Sequence, residues 1–318
     1  MLKQKNTIFA LASGHGRAAI AIIRISGKQA IKNIKKISTN FPNKTNQIKI
    51  NKILDREKKT IDQTLTSVFK SPKSYTGEDM VEISTHGGGA IIKKIIKTLG
   101  SLDNFRLAEP GEFTRRAFEN NKLDLTQVEA VADLINAETE AQRSLALNQL
   151  DGHFSKKTNL ISKEILSILA NVEAAIDFTD EELPDNLINT SKEQIRNIIK
   201  KNENIFLDNN IGEKIRIGFI VTVMGKPNTG KSSFFNKIAN RDISIVTNEP
   251  GTTRDVLEVF VEYRGLPIKF FDTAGIRRAK NKAEIIGVKK THNLSMIADV
   301  NLVFVDKNSD MDEYHRVK

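Results

Sequence analysis

The chain of 318 residues contains no cysteine and no tryptophan. Without cysteine, disulfide bonds and thiolate metal sites are excluded, and a reducing compartment is expected. Long apolar runs are missing as well. No stretch of about 18 consecutive apolar residues occurs, so the sequence predicts neither a membrane-spanning helix nor a secretory signal peptide. We therefore expect a cytoplasmic protein with no membrane partner.

Acidic residues are scarce in the first third of the chain. Residues 1–120 carry 22 Lys and Arg against 10 Asp and Glu, whereas residues 121–215 carry 10 against 17. A basic segment can attract nucleic acid through its phosphates. The alternative is a set of solvated lysines on helix faces, and charge by itself favours this second interpretation.

The first 120 residues alternate short β-rich runs with amphipathic runs, which predicts a small α/β or α+β domain. The strand signals are "AAIAIIRIS" (18–26), "TLTSVF" (64–69) and "DMVEIST" (79–85). The helix signals are "KQAIKNIKKI" (28–37) and "AIIKKIIKTL" (90–99), in which apolar residues recur at helical spacing.

From residue 124 the pattern becomes helical. Three runs cover 125–150, which is rich in Ala, Leu, Glu and Gln, 156–178 and 191–209, with Pro184 and Gly212 as expected breaks. At 215 the pattern changes again to strand, loop and helix, which is typical of a doubly wound α/β domain. The predicted fold class is therefore α/β plus α, in three parts.

The loop at 225–232, "GKPNTGKS", fits the phosphate-binding pattern G-x-x-x-x-G-K-[ST]. Its glycines let backbone N–H groups surround phosphate oxygens. Lys231 supplies a cation near the β- and γ-phosphates, and the Ser232 hydroxyl is a candidate Mg²⁺ ligand. Because the pattern lies between a predicted strand and a predicted helix, we expect a nucleotide site here.

Two further stretches indicate a GTPase. "PGTTRD" (250–255) offers Thr253 as a second hydroxyl for Mg²⁺, and "FFDTAG" (270–275) ends a β-run with Asp272 before Gly275. Such segments are the switch regions that the γ-phosphate and Mg²⁺ order. A signalling GTPase has a water-orienting glutamine where this chain has Ile276. Asn228 is therefore a candidate ligand for a monovalent cation, and the charged groups of 276–287 are either water-positioning residues or a solvated loop.

Several blocks in this order resemble the tRNA-modification GTPase family MnmE, also called TrmE. They are "GRAAIAIIRISG", "SYTGEDMVEISTHGG", "PGEFTRRAFENNKLDLTQVEAVADLI", "VEAAIDF", "GKPNTGKSS", "VTNEPGTTRDVLE" and "DTAGIRRAKNKAEIIG". The resemblance implies a folate-binding and dimerisation domain (1–120), the N-terminal part of a helical domain (121–214), and an incomplete P-loop GTPase domain (215–318).

By position, the resemblance also implies site residues. The nucleotide contacts fall on Asn228, Thr229, Gly230, Lys231, Ser232, Ser233, Thr247, Asn248, Glu249, Pro250, Gly251, Thr252, Thr253, Asp272, Thr273, Ala274 and Gly275. Mg²⁺ falls on Ser232 and Thr253, K⁺ on Asn228, Thr247, Glu249 and Thr252, and the catalytic carboxylate on Glu284. The folate contacts fall on Arg24, Glu82 and Lys122. The Arg24 guanidinium and the Lys122 ammonium are expected to bind the glutamate tail of the folate, and the Glu82 carboxylate is expected to bind the N–H edge of the pterin.

The function implied by the resemblance is potassium-dependent GTP hydrolysis that serves modification of the wobble uridine of tRNA at C5, of the aminomethyl or carboxymethylaminomethyl type. The implied cofactors are Mg²⁺, K⁺ and 5-formyl-tetrahydrofolate or a related reduced folate. The implied assembly is a homodimer that joins an FAD-dependent MnmG-type protein in a heterotetramer or larger complex. Two alternatives stay open: a folate-binding dimerisation module with an inert G domain, and a ribosome-assembly GTPase. The second shares the phosphate loop but lacks a segment like "PGEFTRRAFENNKLDL".

The resemblance breaks at the guanine-specificity motif N-K-x-D. "NKAE" (281–284) begins nine residues after Asp272, within the second switch region, whereas the motif is expected after another strand and helix. The sequence reaches the strand signal "ADVNLVFVD" (298–306) and then "KNSDMDEYHRVK". The family's C-terminal cysteine motif does not occur. We therefore expect a C-terminally truncated family member with a poorly ordered G region and weak or absent hydrolysis.

Overall fold

The computed structural model of the chain describes residues 6–14, 16–45, 47–177, 187–225, 229–239, 244–245, 258–272 and 296–305. The chain divides into two compact units, residues 1–128 and 129–318. No helix in these described ranges is both long enough and apolar enough to span a bilayer.

The first unit is built on a six-stranded sheet. Its strands are β1 (Thr7–Leu11), β2 (Ile20–Ser26), β3 (Gln47–Leu54), β4 (Thr60–Phe69), β5 (Met80–His86) and β6 (Phe105–Leu107), in the order β3-β4-β5-β2-β1-β6. Neighbouring strands are antiparallel except β1 and β6. Its helices are α1 (Ala30–Lys36), α2 (Gly89–Gly100) and α3 (Glu112–Glu119).

Two of these helices cover one face of the sheet and form the core. Ile34 of α1 and Leu99 of α2 belong to the same buried cluster as Phe9, Ile23 and Ile83. We call the opposite side of the sheet the open face. Successive side chains of a strand point to opposite faces, so the open face carries every second residue of each strand. Part of this face is exposed to solvent: Ile50 is 60% and Ile20 63% accessible.

Every strand and helix predicted for this unit is confirmed, with shifts of a few residues at the ends. Sequence reasoning missed β1, β3, β6 and α3. In β3, "QIKINKIL", the isoleucines lie on both faces of the sheet: Ile53 is fully buried, whereas Ile48 and Ile50 are exposed. Its apolar pattern therefore does not separate a core face from a solvent face, and the strand signal is weak.

Four helices follow: α4 (Leu125–Ile135), α5 (Glu140–Leu150), α6 (His153–Asp177) and α7 (Leu187–Ile217). The single run predicted over 125–150 is wrong in one respect, because it is two helices. Thr139 begins α5 with a capping box, in which its side chain accepts from Gln142 N and the Gln142 side chain accepts from Thr139 N. The predicted break at Gly212 is also wrong. The helix α7 continues through Gly212, since one helical glycine costs only about 1 kcal/mol.

A second sheet begins after α7. Its strands are β7 (Phe219–Gly225), β8 (Ser244–Ile245), β9 (Glu258–Tyr263), β10 (Leu266–Asp272) and β11 (Val300–Phe304), in the order β11-β7-β10-β9-β8. The strands β11, β7 and β10 are parallel, and β9 runs antiparallel to β10. Helix α8 (Lys231–Ala239) packs on this sheet through Phe235, which forms a buried cluster with Val223 of β7 and Val259 of β9. The predicted strand–loop–helix order and the strand at 298–306 are confirmed.

Polar contacts join α7 to this sheet. Asp299, just before β11, accepts from the Lys214 ammonium near the end of α7 and from Ile220 N of β7 at 2.9 Å. Asp299 N in turn donates to Ile220 O at 2.9 Å. The end of α7 and the beginning of β7 are therefore held by one side chain.

Candidate functional site

The phosphate loop begins where β7 ends. Gly225 pairs with Phe304 of β11 and has a φ of 143°, a conformation that residues with a Cβ rarely adopt. A Cβ on Gly225 would lie 2.3 Å from the Phe304 carbonyl oxygen. Only glycine lets the chain leave the sheet at this point, so the first glycine of the motif is required by both conformation and space.

Lys231 is the first residue of α8. Its side chain is buried, with the residue only 5% exposed. Its Nζ donates to Gly225 O at 2.7 Å and to Thr229 Oγ1 at 3.4 Å. A buried ammonium held at a helix N-terminus, beside backbone N–H groups, is suited to bind polyphosphate oxygens. Of the predicted nucleotide residues, Thr229 and Lys231 are thus in contact at the beginning of α8.

A hydroxyl and a carboxylate occur at the same edge of the sheet. Ser232 follows Lys231 in α8 and is exposed. Asp272 is the last residue of β10, whose register places it beside Val223 of the parallel strand β7. Ends of parallel strands meet at one edge, where ligands bind in open α/β sheets. The hydroxyl and carboxylate oxygens of these two side chains are of the kind that Mg²⁺ prefers as ligands.

Many of the predicted nucleotide residues lie outside the described part of the chain. These are Asn228, Thr247, Asn248, Glu249, Pro250, Gly251, Thr252, Thr253, Thr273, Ala274, Gly275 and Glu284. The predicted potassium ligands and the predicted catalytic carboxylate are all among them. Ser233 is described and exposed in the first turn of α8.

The predicted folate residues lie in the first unit. Arg24 of β2 and Glu82 of β5 are direct cross-strand partners. Arg24 Nε donates to Glu82 Oε1 at 2.7 Å, and the two side chains are 29% and 21% exposed. Lys122 is exposed, and its side chain lies beside Gly77, since a Cβ on Gly77 would be 3.2 Å from Lys122 Cγ. Arg24 and Glu82 thus form one charged pair on the open face.

Two aromatic rings enclose the Arg24 guanidinium. Its Cζ is 5.2 Å from the Tyr75 ring centroid and 5.8 Å from that of Phe113, within the range of cation–π attraction. The Tyr75 hydroxyl is 2.9 Å from Thr114 Oγ1. Sequence reasoning missed both rings. The residues are far apart in sequence and no spacing links them; only the cross-strand register and the placement of α3 bring them together.

A buried charge network holds α3 against the open face. Glu112 is 2% and Arg116 3% exposed. Arg116 binds Glu112 at 3.0 Å and Glu78 at 2.9 Å, and Arg106 binds Glu112 at 2.6 Å. Burial would raise the pKa of Glu112, but hydrogen bonds from Arg106, Glu109 N and Arg116 outweigh it and lower the pKa to about 2. The network therefore fixes the helix that carries Phe113.

Two family models match the chain. The model described as GTP-binding protein TrmE N-terminus matches residues 7–122, and the MnmE helical domain matches residues 125–313. A solved structure of the G domain of the T. maritima FeoB iron transporter is 26% identical and covers 30% of this chain and 60% of its own, with a TM-score of 0.23. A TM-score this low supports no inference about the chain.

Curated relatives match over most of the chain. The tRNA modification GTPase MnmE of Dinoroseobacter shibae is 40% identical over 301 residues, which are 95% of this chain and 70% of the relative. Those of Rhodopseudomonas palustris and Pelagibacter ubique are each 42% identical over 307 residues, covering 96% and 95% of this chain and 68% and 69% of the relatives. The names of the two matched domain models agree with the names of these relatives. The chain belongs to the MnmE family of tRNA modification GTPases.

Proposed function

We propose that this chain hydrolyses GTP in the service of tRNA wobble-uridine modification at C5. The observation that carries the proposal is the phosphate loop, in which the buried Lys231 ammonium binds the Gly225 carbonyl at 2.7 Å. Asp272 at the end of the neighbouring parallel strand and Ser232 in α8 supply oxygen ligands for Mg²⁺. When bound, that ion would neutralise phosphate charge, while Lys231 and the loop N–H groups orient the β- and γ-phosphates.

The test compares two lysines of α8. Lys231→Met removes the buried ammonium, and Lys237→Met removes an exposed one on the same helix. With a fluorescent GTP analogue and Mg²⁺, Lys231→Met should lose binding and hydrolysis, whereas Lys237→Met should match the wild type. Similar loss in both variants, or none in either, would refute the assignment. Competition with ATP measures whether the site selects guanine.

The proposal includes potassium and Glu284. We infer, from family resemblance, that Asn228, Thr247, Glu249 and Thr252 bind K⁺ and that the Glu284 carboxylate orients the attacking water. A carboxylate within hydrogen-bond reach of water can act in this way. All five residues lie outside the described ranges, so this part of the proposal depends on activity measurements in K⁺ and Na⁺.

The first unit is proposed to bind a reduced folate, such as 5-formyl-tetrahydrofolate, which would supply the one-carbon group. The charged pair of Arg24 and Glu82 on the partly exposed open face supports this, because a guanidinium and a carboxylate together can pair with donors and acceptors of a heterocycle. Calorimetry with 5-formyl-tetrahydrofolate tests it. The wild type should bind, and Arg24→Ala should bind at least roughly 10-fold more weakly.

We further propose that the chain forms a homodimer through the open face. Ile48, Ile50 and Leu65 are 63%, 60% and 48% exposed, and Ile50 and Leu65 are cross-strand neighbours. Ile50 and Leu65 border, together with Ile20, a depression of about 260 Å³. Exposed apolar clusters of this kind mark association surfaces. In light scattering, Ile50→Asp should shift a dimer toward monomer. Glu57→Lys in the β3–β4 turn should not, and equal effects would refute this surface.

The remaining proposed partners are tRNA and an FAD-dependent MnmG-type protein. Family membership supports the substrate, and the excess of basic residues over 1–120 suits contact with its phosphates. Binding of tRNA that weakens steeply with salt would agree with this, and salt-independent binding would not. Co-purification with the FAD protein tests the second partner.

A second candidate function is a folate-binding dimer whose nucleotide site is inert. The observation that favours it is the first unit, whose sheet has its own buried core and carries the Arg24–Glu82 pair. Folate binding together with a complete lack of GTP hydrolysis in K⁺ would select this alternative.

A further inference from the structure

Exposed cations of the first unit gather around the turn between β3 and β4. They come from three separate segments: the end of α1, the turn itself and the middle of α2. All of them are exposed, and we call them together the basic surface. Its members are Lys35, Lys36, Arg56, Lys58, Lys59, Lys94 and Lys97.

Two contacts hold the three segments of the basic surface together. The Lys58 ammonium donates to the carbonyl oxygen of Lys36, the last residue of α1, at 3.1 Å. The Lys94 ammonium of α2 lies 3.1 Å from Asp55 Oδ2. The turn is therefore fixed to both helices, and its cations stay close to theirs.

The acidic residues of the turn do little to neutralise this surface. Asp55 is only 8% exposed, and its Oδ1 accepts from Glu57 N at 3.0 Å and from Lys59 N at 2.9 Å, so its charge organises the turn from inside. Glu57 pairs with Lys59 at 2.8 Å, but both side chains are more than 70% exposed. Such a pair is weak and is screened by salt.

Four members of the basic surface have charged groups with no ion pair or hydrogen bond among the described residues. These are Lys35, Lys36, Arg56 and Lys97. Cations in the last turn of a helix complement its dipole, which would explain the two lysines of α1. The ammonium that binds the last carbonyl of α1 is nevertheless that of Lys58. The four charges are therefore available to a partner.

The side chains around these charges indicate the kind of partner. None of the large apolar side chains in 30–37, 54–60 and 89–100 is exposed. The centre of a protein–protein interface is rich in aromatic residues and poor in lysine, so this surface has the opposite character. Lysine and arginine are the residues that contact the phosphates of nucleic acids. A polyanion with closely spaced phosphates fits this surface better than a protein does.

We propose that the basic surface binds the phosphate backbone of tRNA. The inference rests on the proposed tRNA substrate and deepens it, because it names the part of the chain that contacts the RNA. With no exposed aromatic ring to stack on a base, the surface positions the tRNA without reading its sequence. It also leaves the open face free, since α1 and α2 cover the opposite side of the sheet.

The first experiment measures affinity as a function of salt. Fluorescence anisotropy with a labelled tRNA transcript gives the association constant of the full chain at several NaCl concentrations. The variants are Lys35→Gln/Lys36→Gln and Arg56→Gln/Lys97→Gln. Each should weaken binding by roughly 10-fold near 100 mM salt. Each should also lower the slope of log K against log salt concentration by about two, one for each lost phosphate contact.

The matched control removes the same charge elsewhere. Lys156 and Lys157 are adjacent exposed lysines in α6, and Lys156→Gln/Lys157→Gln should keep the affinity and the slope of the wild type. Thermal melting checks that all three double variants remain folded. If the control loses as much affinity as the other two, net charge and not this surface attracts the RNA, and the inference is overturned.

The second experiment maps the contact directly. Acetylation of the wild type with and without tRNA, followed by mass spectrometry, reports the accessibility of each lysine. Lys35, Lys36 and Lys97 should be protected by tRNA at least roughly as strongly as binding reduces the free protein, whereas Lys156 and Lys157 should not be. Equal protection of the two sets, or none at the basic surface, would contradict the assignment.

The third experiment asks whether another polyanion fits better. Polyglutamate and vesicles containing phosphatidylserine compete with labelled tRNA at matched negative charge. A plain RNA duplex should displace the tRNA, because the contacts are independent of sequence, and the other two competitors should do so poorly. Competition by polyglutamate as strong as that by the duplex would point to an acidic protein, and equally strong competition by vesicles to a membrane. Either result overturns the RNA assignment.

Failure of the two proposals can be told apart. If the wild type binds no tRNA at any salt concentration, the proposed substrate is wrong for this chain and the basic surface loses its partner as well. If the wild type binds tRNA with a steep salt dependence, but both double variants of the basic surface bind equally well, the substrate stands and only this inference is wrong.

Discussion

Glu112 allows a quantitative test of the buried network that supports the folate candidate site. Its pKa falls from 4.5 to about 2 because hydrogen bonds from Arg106, Glu109 N and Arg116 outweigh its burial. A carboxyl whose folded pKa is depressed stabilises the fold above its unfolded pKa, and this stability is lost as pH falls toward the folded value. A shift of this size corresponds to about 3 kcal/mol at pH 7, and about half of it should remain at pH 3.

Glu112→Gln keeps the shape of the side chain and removes its charge. Hydrogen exchange with mass spectrometry on the full chain reports the free energy of opening of α3 and β2. At pH 7 the variant should exchange roughly 100-fold faster than wild type at these segments, and the difference should shrink as pH is lowered toward 3. Glu109→Gln is the control, since Glu109 is 63% exposed in its pair with Arg115 and should cost at most about 1 kcal/mol.

The outcome that refutes this reasoning is specific. If the difference between Glu112→Gln and wild type is the same at pH 3 as at pH 7, the loss is one of packing and not of charge. An effect of Glu109→Gln as large as that of Glu112→Gln would show that burial does not strengthen these ion pairs.

Three further predictions concern the nucleotide site. Gly225→Ala should abolish binding of a fluorescent GTP analogue, because its Cβ would lie 2.3 Å from the Phe304 carbonyl oxygen, whereas Gly89→Ala has open space and should be neutral; normal binding by Gly225→Ala would contradict the loop geometry. Initial rates of GTP hydrolysis should rise sharply when K⁺ replaces Na⁺, and Asn228→Lys should remove that dependence; equal rates in the two salts for wild type would exclude a potassium role. Glu284→Ala should lower kcat by roughly 100-fold with little change in nucleotide affinity, as measured by steady-state kinetics. Weakened nucleotide binding with a normal kcat would show that Glu284 has a structural role.

The nucleotide region was predictable because its signals are local. A strand, a glycine loop and a helix follow one another within 219–239, and each is specified by its own residues. The strand before Asp272, "LPIKFF", is likewise mostly apolar. By contrast, the ends of α7 could not be predicted from Gly212, because the contacts of Lys214 with Asp299 stabilise the last turn from 85 residues away.

The arrangement of the residues proposed to bind folate could not be predicted from the sequence. Arg24 and Glu82 become partners only through the β2–β5 register. Tyr75 and Phe113 reach the guanidinium from a loop and from a helix that sequence reasoning missed. Long-range pairing of this kind leaves no periodic signal in the sequence, so an assignment by resemblance gives the residues without the roles.

The joint at Asp299 has a mechanical consequence for the nucleotide loop. The strand β7 is about 20 Å long. Asp299 accepts a hydrogen bond from Ile220 N near the beginning of the strand, and Gly225 is its last residue. Because β7 is hydrogen-bonded to β10 on one side and β11 on the other, it resists stretching and bending. A shift of the phosphate loop along β7 would therefore appear as a shift of Lys214 and of the whole 31-residue helix behind it. A spectroscopic distance label placed far along α7 would then report on phosphate binding without touching the nucleotide.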